Sequence, residues 1–138
     1  MTDADGDGEG EIAVRHGHEG DLLAVLRVLE GAMLEVGANQ VRRRTESEEV
    51  LVATVDNRVV GALVRDGDHV EAIAVHPDRR GSGVGRALIE AALDETGRLT
   101  AEFREAVRPF YERLGFDIER SEERLWGVRT ERDVDDGE

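Results

Sequence analysis

The 138-residue chain contains no cysteine and no lysine. Without cysteine it can form no disulfide, offer no thiolate nucleophile and bind no metal through sulfur. Without lysine it cannot complete a P-loop for ATP or GTP, because that loop requires Gly-Lys followed by Ser or Thr. All 18 basic residues are therefore arginine, and the chain has a single tryptophan and a single tyrosine.

Long hydrophobic runs are also missing. No apolar stretch approaches the 18 or so residues of a membrane-spanning helix, and the first residues do not have the pattern of a signal peptide. The sequence therefore predicts a soluble, cytoplasmic protein with no membrane partner.

Positive charge is scarce relative to negative charge, and the net charge is −14. Residues 1–11 carry −5, residues 131–138 carry −4, and residues 12–130 carry −5. This sign disfavours nucleic acid and anionic membranes as partners. An acidic chain without lysine is typical of a halophilic cytosolic protein, although GC-rich codon bias would also replace lysine by arginine.

The length predicts one domain with a single core. Residues 1–10 and 131–138 are acidic and offer almost no large apolar side chain, so we expect two disordered acidic tails. Residues 11–130 then form the domain. His16 and His18 flank a glycine without a third ligand nearby, which argues against a metal site.

The most informative stretch is a strand that ends near Val75, a turn at Pro77, and a glycine-rich loop leading into a helix over residues 84–96. In the loop, glycines alternate with other residues at positions 81, 83 and 85. Such a loop can aim several backbone N–H groups, together with the positive end of the helix, at a pyrophosphate. The dinucleotide fingerprint does not fit, because position 86 is arginine where that motif needs glycine.

The rest of the chain alternates between strand and helix patterns. We expect a strand over residues 11–16, a helix from an Asp21 N-cap to about residue 35, and three meander strands over 50–55, 58–65 and 68–75. A strand over 98–103, a short helix from Pro109 to Gly115 and a closing hairpin over 116–129 follow. This order predicts an α+β fold. Residues 31–47 have no clear pattern.

Two motifs resemble one known family. The sequence Arg80-x-x-Gly83-x-Gly85 resembles the acetyl-CoA motif of the GNAT superfamily of N-acetyltransferases. The segment from Phe110 to Phe116 resembles the second GNAT signature, in which an aromatic residue precedes Tyr-Glu-x-Leu-Gly-Phe. The resemblance covers about residues 11–130. It departs from the family pattern at Arg104, where an asparagine is usual.

The resemblance implies a mixed, mostly antiparallel sheet of six to seven strands with helices on both faces. It implies an acetyl-CoA-dependent N-acetyltransferase, acting as a monomer or homodimer, that acetylates a primary amine directly. The acceptor would be a small amine, an amino acid or a protein N-terminus, with no metal and no acyl-enzyme. One alternative is a GNAT-like module that binds acyl-CoA as a sensor or docking domain without turnover. Another is a lone structural domain or an enzyme of a different CoA-dependent acyl transfer.

The same resemblance assigns the acetyl-CoA contacts. The exposed backbone of one strand end would pair with the pantetheine amides, the loop and first helical turn would bind the pyrophosphate through N–H groups, and Arg80 would support them. The residues concerned are Ile73, Ala74, Val75, Arg80, Gly81, Ser82, Gly83, Val84, Gly85 and Arg86. The arginines at positions 42–44 are either a solvated face or a contact for the CoA 3′-phosphate or an acidic substrate group.

Three residues are catalytic candidates. Tyr111 occupies the slot of the general acid that protonates the CoA thiolate, and helical spacing predicts that Phe110 faces the core while Tyr111 is rotated away from it. The alternative for Tyr111 is a packing role alone. His69 and Glu71 share one strand face by their spacing of two and are candidates for the general base. Alternatively, both are surface residues and water chains remove the proton.

Overall fold

The computed structural model describes residues 11–31, 36–121 and 124–130, which contain one seven-stranded sheet in the order β1-β2-β3-β4-β5-β7-β6. The strands are β1 (Ala13–His16), β2 (Val50–Val55), β3 (Arg58–Asp66), β4 (His69–Val75), β5 (Arg98–Phe103), β6 (Asp117–Ser121) and β7 (Arg124–Thr130). The helices are α1 (Leu22–Gly31), α2 (Ala38–Glu46), α3 (Val84–Thr96) and α4 (Arg108–Arg113). The predicted α+β fold class is thus confirmed.

The meander of β2, β3 and β4 forms because three apolar runs are separated by tight turns. Asp56 and Asn57 have φ values of 53° and 67°, which is the type I′ turn that matches the twist of paired strands. All six residues of β2 are buried, since helices cover the sheet on both faces. The meander therefore forms a buried, central part of the sheet.

Two hydrophobic clusters lie on opposite faces of the sheet. On one face, α3 and α4 pack through residues such as Leu88, Ile89 and Tyr111 against alternate residues of the strands. On the other face, α1 and α2 pack through residues such as Leu29 and Val41. Helices on both faces agree with the expected layering.

The only parallel pair in the described sheet joins β4 to β5, and it is short. Its register includes His69↔Thr100 and Val70↔Ala101 and nothing beyond. At the same point the register between β3 and β4 shifts, so that Glu71 forms a bulge between Val70 and Ala72. From there on, β4 remains paired with β3 but not with β5.

Several boundaries match their sequence predictions and others do not. The expected bounds of β2, β5 and α3 are those observed, and Gly97 ends α3 with a φ of 77°. The Asp21 prediction was wrong in its detail: Asp21 ends a 3-10 turn, and its carboxylate accepts from the His18 backbone N–H and binds Arg15 instead of capping α1. Helix α2 lies in the segment that had no clear pattern.

The expected tails at residues 1–10 and 131–138 lie outside the described residues, as does the stretch 32–35 in which the first helix was expected to end. In the described ranges, the helices are too short or too polar to cross a lipid bilayer.

Candidate functional site

The glycine-rich loop has backbone angles that only glycine adopts easily. Gly81 and Gly83 have φ values of 80° and 95°, and Gly83 is the N-cap of α3 without any side chain capping the helix. The N–H groups of the first turn of α3 therefore remain available, at the positive end of a 13-residue helix. This is the arrangement expected for a pyrophosphate site.

The space around the loop also fits a phosphate group. A Cβ atom placed on Gly81 would meet no other atom within 4 Å, so the backbone there is open to close approach. Both the hydroxyl and the backbone N–H of Ser82 donate to the Arg79 carbonyl, so Ser82 closes the turn of the loop. Arg80 donates a 3.4 Å hydrogen bond from Nε to the Val75 carbonyl, so that it links the loop to the end of β4.

Gly85 has a different role from the other two glycines. It is buried, and a Cβ atom there would lie 3.6 Å from the Phe110 ring and 3.7 Å from Leu114. These are ordinary van der Waals distances, so Gly85 marks a packing contact between α4 and the start of α3. The hydrogen bond of 3.3 Å from the Arg86 guanidinium to the Arg113 carbonyl joins the same two helices.

The end of β4 lies next to this loop and has no β5 partner there, although the Val75 carbonyl accepts the hydrogen bond from Arg80. Beyond Val70 no residue of β5 pairs with β4 within the described ranges, so one edge of residues 73–75 is open. Ile73, Ala74 and Val75 are themselves buried, with 6%, 2% and 8% of their surface exposed. A ligand with amide groups could pair with this edge as an added strand would.

Tyr111 of α4 packs against β5. Its ring stacks on Phe103 of β5 with centroids 4.1 Å apart, and it meets Phe110 and Phe116 edge-on. Burial raises the pKa of Tyr111 to about 12, so the hydroxyl stays protonated at neutral pH. Among the described residues this hydroxyl has no hydrogen-bond partner of its own.

The expected orientation of α4 was wrong. Tyr111 is only 8% exposed and belongs to the core, whereas Phe110 is half-buried against Gly85. The reason is that α4 has six residues and packs on both α3 and β5, so its buried face is set by two neighbours. Gly115 follows the helix with a φ of 89°, as its position suggested.

Glu71 is held by an ion pair. Arg44 of α2 donates two 2.9 Å hydrogen bonds to its two carboxylate oxygens, and Gln40 donates a third of 2.8 Å. Hydrogen bonding from Arg44, more than any other cause, lowers the pKa of the Glu71 carboxyl below its usual value. A carboxylate bound in this way is a weak base, so its contacts favour an anchoring role.

His69 lies on the same sheet face as Glu71 and has different surroundings. Its Nδ1 is 2.8 Å from the Thr100 hydroxyl, and its ring stacks on Trp126 with centroids 5.5 Å apart. The ring is partly exposed, and Nε2 has no hydrogen-bond partner among the residues that the structure describes. Of the two predicted bases, His69 therefore has the atom that is free to accept a proton.

Four residues around Glu71 and His69 were not predicted as site residues from the sequence: Arg44, Gln40, Thr100 and Trp126. Arg44 did belong to the arginine cluster at positions 42–44, which was either a solvated face or a ligand contact. That cluster divides in the structure: Arg44 binds Glu71, Arg42 bonds to Asn39, and Arg43 is exposed. No local signal pairs residues so distant in sequence, because the sheet brings them together.

In the described part of the chain, no group of three or more histidine, aspartate or glutamate residues is arranged to hold a metal ion. A surface groove does exist elsewhere, between the second half of α3 and the last hairpin. It is lined by Glu90, Leu93, Asp94, Gly115, Asp117, Arg129 and Thr130. It contains none of the predicted site residues, and the loop and the β4 edge remain the candidate site.

Known proteins that resemble this chain in sequence or in fold include acetyltransferases. The peptidyl-lysine N-acetyltransferase YjaB of Escherichia coli is 40% identical over 62 residues, which are 43% of this chain and 42% of that protein. The similarity thus spans less than half of that relative. A GNAT-family acetyltransferase from Bacillus cereus superposes with a TM-score of 0.73 at 17% identity, covering 88% of this chain and 99% of the other.

A further solved structure includes a ligand. The protein yncA from Salmonella typhimurium, solved with its cofactor acetyl-CoA, has a TM-score of 0.69 at 18% identity and covers 86% of this chain and 93% of its own. At such identities the two structural likenesses concern the fold. Residues 46–118, more than half of the chain, match the family described as acetyltransferase (GNAT) domain. The chain therefore belongs to the GNAT acetyltransferase family.

Proposed function

We propose that this protein is an acetyl-CoA-dependent N-acetyltransferase that acetylates a primary amine directly. The proposal rests on one observation. The N-terminus of α3, which no side chain caps, follows the end of β4, where β5 no longer pairs with β4. The Gly81–Gly83 turn and the first turn of α3 supply N–H groups for a pyrophosphate, and residues 73–75 supply backbone for the adjoining chain of amides. Tyr111 lies on α4, whose Phe110 packs against Gly85 in the first turn of α3.

Bound acetyl-CoA supplies the acetyl thioester, and the residues of the chain hold it and move protons. The acceptor enters as an ammonium ion and must lose a proton before its nitrogen can attack. We assign this proton to His69 Nε2. The new carbon–nitrogen bond replaces the carbon–sulfur bond, and the sulfur leaves as a thiolate.

Tyr111 donates to that leaving sulfur. Its raised pKa of about 12 keeps the phenol protonated at every physiological pH. The same pKa lies well above that of a thiol, so the hydroxyl stabilises the thiolate mainly through a hydrogen bond, and solvent can supply the final proton. The second proton of the attacking nitrogen is lost to solvent, which balances the reaction.

Glu71 has a supporting role in this proposal. Its bridge to Arg44 fastens α2 across the sheet face on which His69 lies. The bridge thereby fixes one wall of the space from which an acceptor can approach. This assigns the arginine cluster a part in acceptor geometry through Arg44, with no contact to acetyl-CoA.

The acceptor is a primary amine of a small molecule, an amino acid, a protein N-terminus or a lysine side chain. The last class is included because YjaB is named as a peptidyl-lysine acetyltransferase. The net charge of −14 does not identify the acceptor, because −9 of it lies in residues 1–11 and 131–138, outside the segments that carry the predicted site residues.

The test is release of free thiol from acetyl-CoA over a panel of these four amine classes, each at low and molar salt. Binding of acetyl-CoA is measured in parallel by thermal shift. Turnover with one class supports the proposal and identifies the acceptor. Binding without turnover of any class would instead identify an acyl-CoA sensor, and absence of binding would refute the site.

A further inference from the structure

We propose that Thr100 and Trp126 are positioning residues that form a cradle for the protonated ring of His69. The inference rests on the proposed function, in which His69 Nε2 accepts the proton of the acceptor amine. It concerns two residues from the neighbouring strands β5 and β7, which are separate from the loop and from residues 73–75. The two residues contact different parts of the His69 ring: Thr100 lies at Nδ1 and Trp126 stacks on one face.

Thr100 holds one edge of the imidazole. It is the direct partner of His69 in the parallel pair of β4 and β5, and its hydroxyl oxygen lies 2.8 Å from Nδ1. An imidazolium carries a proton on both nitrogens, so Thr100 Oγ1 must accept from Nδ1 in that form. Because a charge-assisted hydrogen bond is stronger than a neutral one, this contact favours the protonated ring.

Trp126 covers one face of the same ring. The two rings are 5.5 Å apart with an interplanar angle of 23°, which is a stacked arrangement. The negative face of an indole attracts a cation placed over it, and the attraction disappears when the cation loses its charge. Trp126 therefore also favours the imidazolium, and it restricts rotation of the ring about the bond that carries it.

The cradle leaves one nitrogen for chemistry. Thr100 is 4% exposed and occupies Nδ1, while the partly exposed His69 ring directs its other nitrogen, Nε2, away from that contact. A general base is effective when its conjugate acid is stabilised and its accepting atom is fixed. The two contacts meet both conditions without supplying a reacting atom themselves.

Other charged groups face His69 and bear on any pH measurement. Asp66 of β3 is its antiparallel partner, and Glu71 of β4 interacts with it electrostatically. Arg44 of α2 neutralises both carboxylates in part, at 3.4 Å from Asp66 and 2.9 Å from Glu71. Glu102 follows Thr100 on the same face of β5. The test variants leave all four unchanged, so these charges stay constant across the comparison.

The first measurement is titration of the His69 ring by NMR, with the resonance assigned by its absence in His69→Gln. We expect the midpoint to lie at lower pH in Thr100→Val and in Trp126→Leu than in the unsubstituted protein. Thr54→Val is the matched control, because Thr54 is also a buried strand threonine and lies in β2. Equal midpoints in Thr100→Val and Thr54→Val would overturn the proposal.

Fluorescence offers a second reading of the same event. The chain has one tryptophan, so its emission as a function of pH follows the charge on the stacked imidazole. The pH dependence should vanish in His69→Gln and shift to lower pH in Thr100→Val. Neither the NMR titration nor the fluorescence measurement requires turnover. Both therefore test the roles of Thr100 and Trp126 even if the proposed acetyl transfer fails.

Activity then tests the link between the cradle and catalysis. We expect His69→Gln to lower kcat/KM by about 10²-fold and Thr100→Val by about tenfold, with the KM for acetyl-CoA unchanged. The acidic limb of the pH profile should move to lower pH in Thr100→Val, in step with the titration. A shifted titration with an unshifted activity profile would show that His69 is not the base.

Discussion

Tyr111 is a phenol whose ring is packed among three phenylalanines and whose hydroxyl finds no partner among the described residues. Among the described residues, Arg65 Nε is the only fully buried side-chain polar atom without a partner, so the Tyr111 hydroxyl remains accessible to solvent or to a ligand atom. A leaving sulfur that carries negative charge would be such an atom. Tyr111, which the sequence motif predicted as a catalytic residue, thus has surroundings that suit a hydrogen-bond donor. They suit less well an acid that gives up its proton near neutral pH.

Replacing Tyr111 by phenylalanine should separate donation from packing. The variant keeps the stacked ring and removes only the hydroxyl, so we expect kcat to fall by about 10²-fold. The dissociation constant for acetyl-CoA and the melting temperature should change little. Full kcat in this variant would remove Tyr111 from the mechanism, and loss of affinity alone would make it a binding residue.

The Glu71–Arg44 bridge makes a prediction about stability and pH. The pKa of Glu71 is lowered in the folded protein, so the bridge contributes stability above the pKa of a free glutamate, about 4.3. That contribution is lost as pH falls through the folded value, because the carboxylate becomes protonated. Glu71→Gln should therefore lower the free energy of unfolding at pH 7 by about 1 to 2 kcal/mol.

Denaturation of the Glu71→Gln variant across pH checks this, since the difference from the parent protein should shrink towards pH 3. The same variant also tests catalysis. Because the bound carboxylate is not the base we propose, the kcat/KM profile of this variant should keep an acidic limb, whose position changes with the loss of the Glu71 charge beside His69. Loss of that limb would restore Glu71 as the base.

At the scale of elements, the parts that could be predicted are those with local signals. Helix α3 has a glycine at each end and apolar residues at helical spacing, and its bounds match the prediction. Helix α2 could not be predicted, because its mean composition is polar and only Val41 among its residues is fully buried. It is held in place by the Arg44–Glu71 bridge, which joins residues far apart in sequence.

The glycines at the two ends of α3 allow a matched test of the pyrophosphate site. Gly83 and Gly97 have φ values of 95° and 77°, so alanine at either position is strained to a similar degree. We expect both Gly83→Ala and Gly97→Ala to lower the melting temperature. Only Gly83→Ala should weaken acetyl-CoA binding, by about tenfold or more, because only its Cβ lies at the loop.

Thermal shift and calorimetry with acetyl-CoA measure both effects. In the unsubstituted protein, acetyl-CoA at 100 times its dissociation constant should add about 2.7 kcal/mol of stability. Gly97→Ala should keep that increment and Gly83→Ala should lose most of it. Equal losses in the two variants would mean that helix stability, and not the loop, governs binding.

At the scale of the whole molecule, the sheet explains why site residues could be predicted only in part. The loop lies within one local segment, and its motif identified it. The base side of the site joins His69 to Thr100 and Trp126 across three strands, in an order that places β7 beside β5. The family resemblance implied a mixed, mostly antiparallel sheet without a strand order, so the residues beside His69 became visible only with the observed order and register.

The net charge of −14 predicts that salt stabilises the whole domain. Repulsion between like charges favours the expanded chain, and the screening length falls from about 10 Å at 0.1 M salt to about 3 Å at 1 M. Salt also weakens surface ion pairs such as Arg98–Asp68, but each of these contributes only about 0 to 1 kcal/mol. We therefore expect the melting temperature to rise between 0.1 M and 2 M KCl.

A truncated chain distinguishes screening from a general effect of salt on protein surfaces. Residues 1–10 and 131–138 carry −4 each, so a chain without them has a net charge of −6. If relief of repulsion is the cause, its melting temperature should rise less with KCl than that of the full chain, while acetyl-CoA binding is retained. An equal rise in both chains would point to surface dehydration by salt. A flat or falling melting temperature in the full chain would contradict adaptation to high salt, leaving codon bias as the explanation for a chain whose basic residues are all arginine.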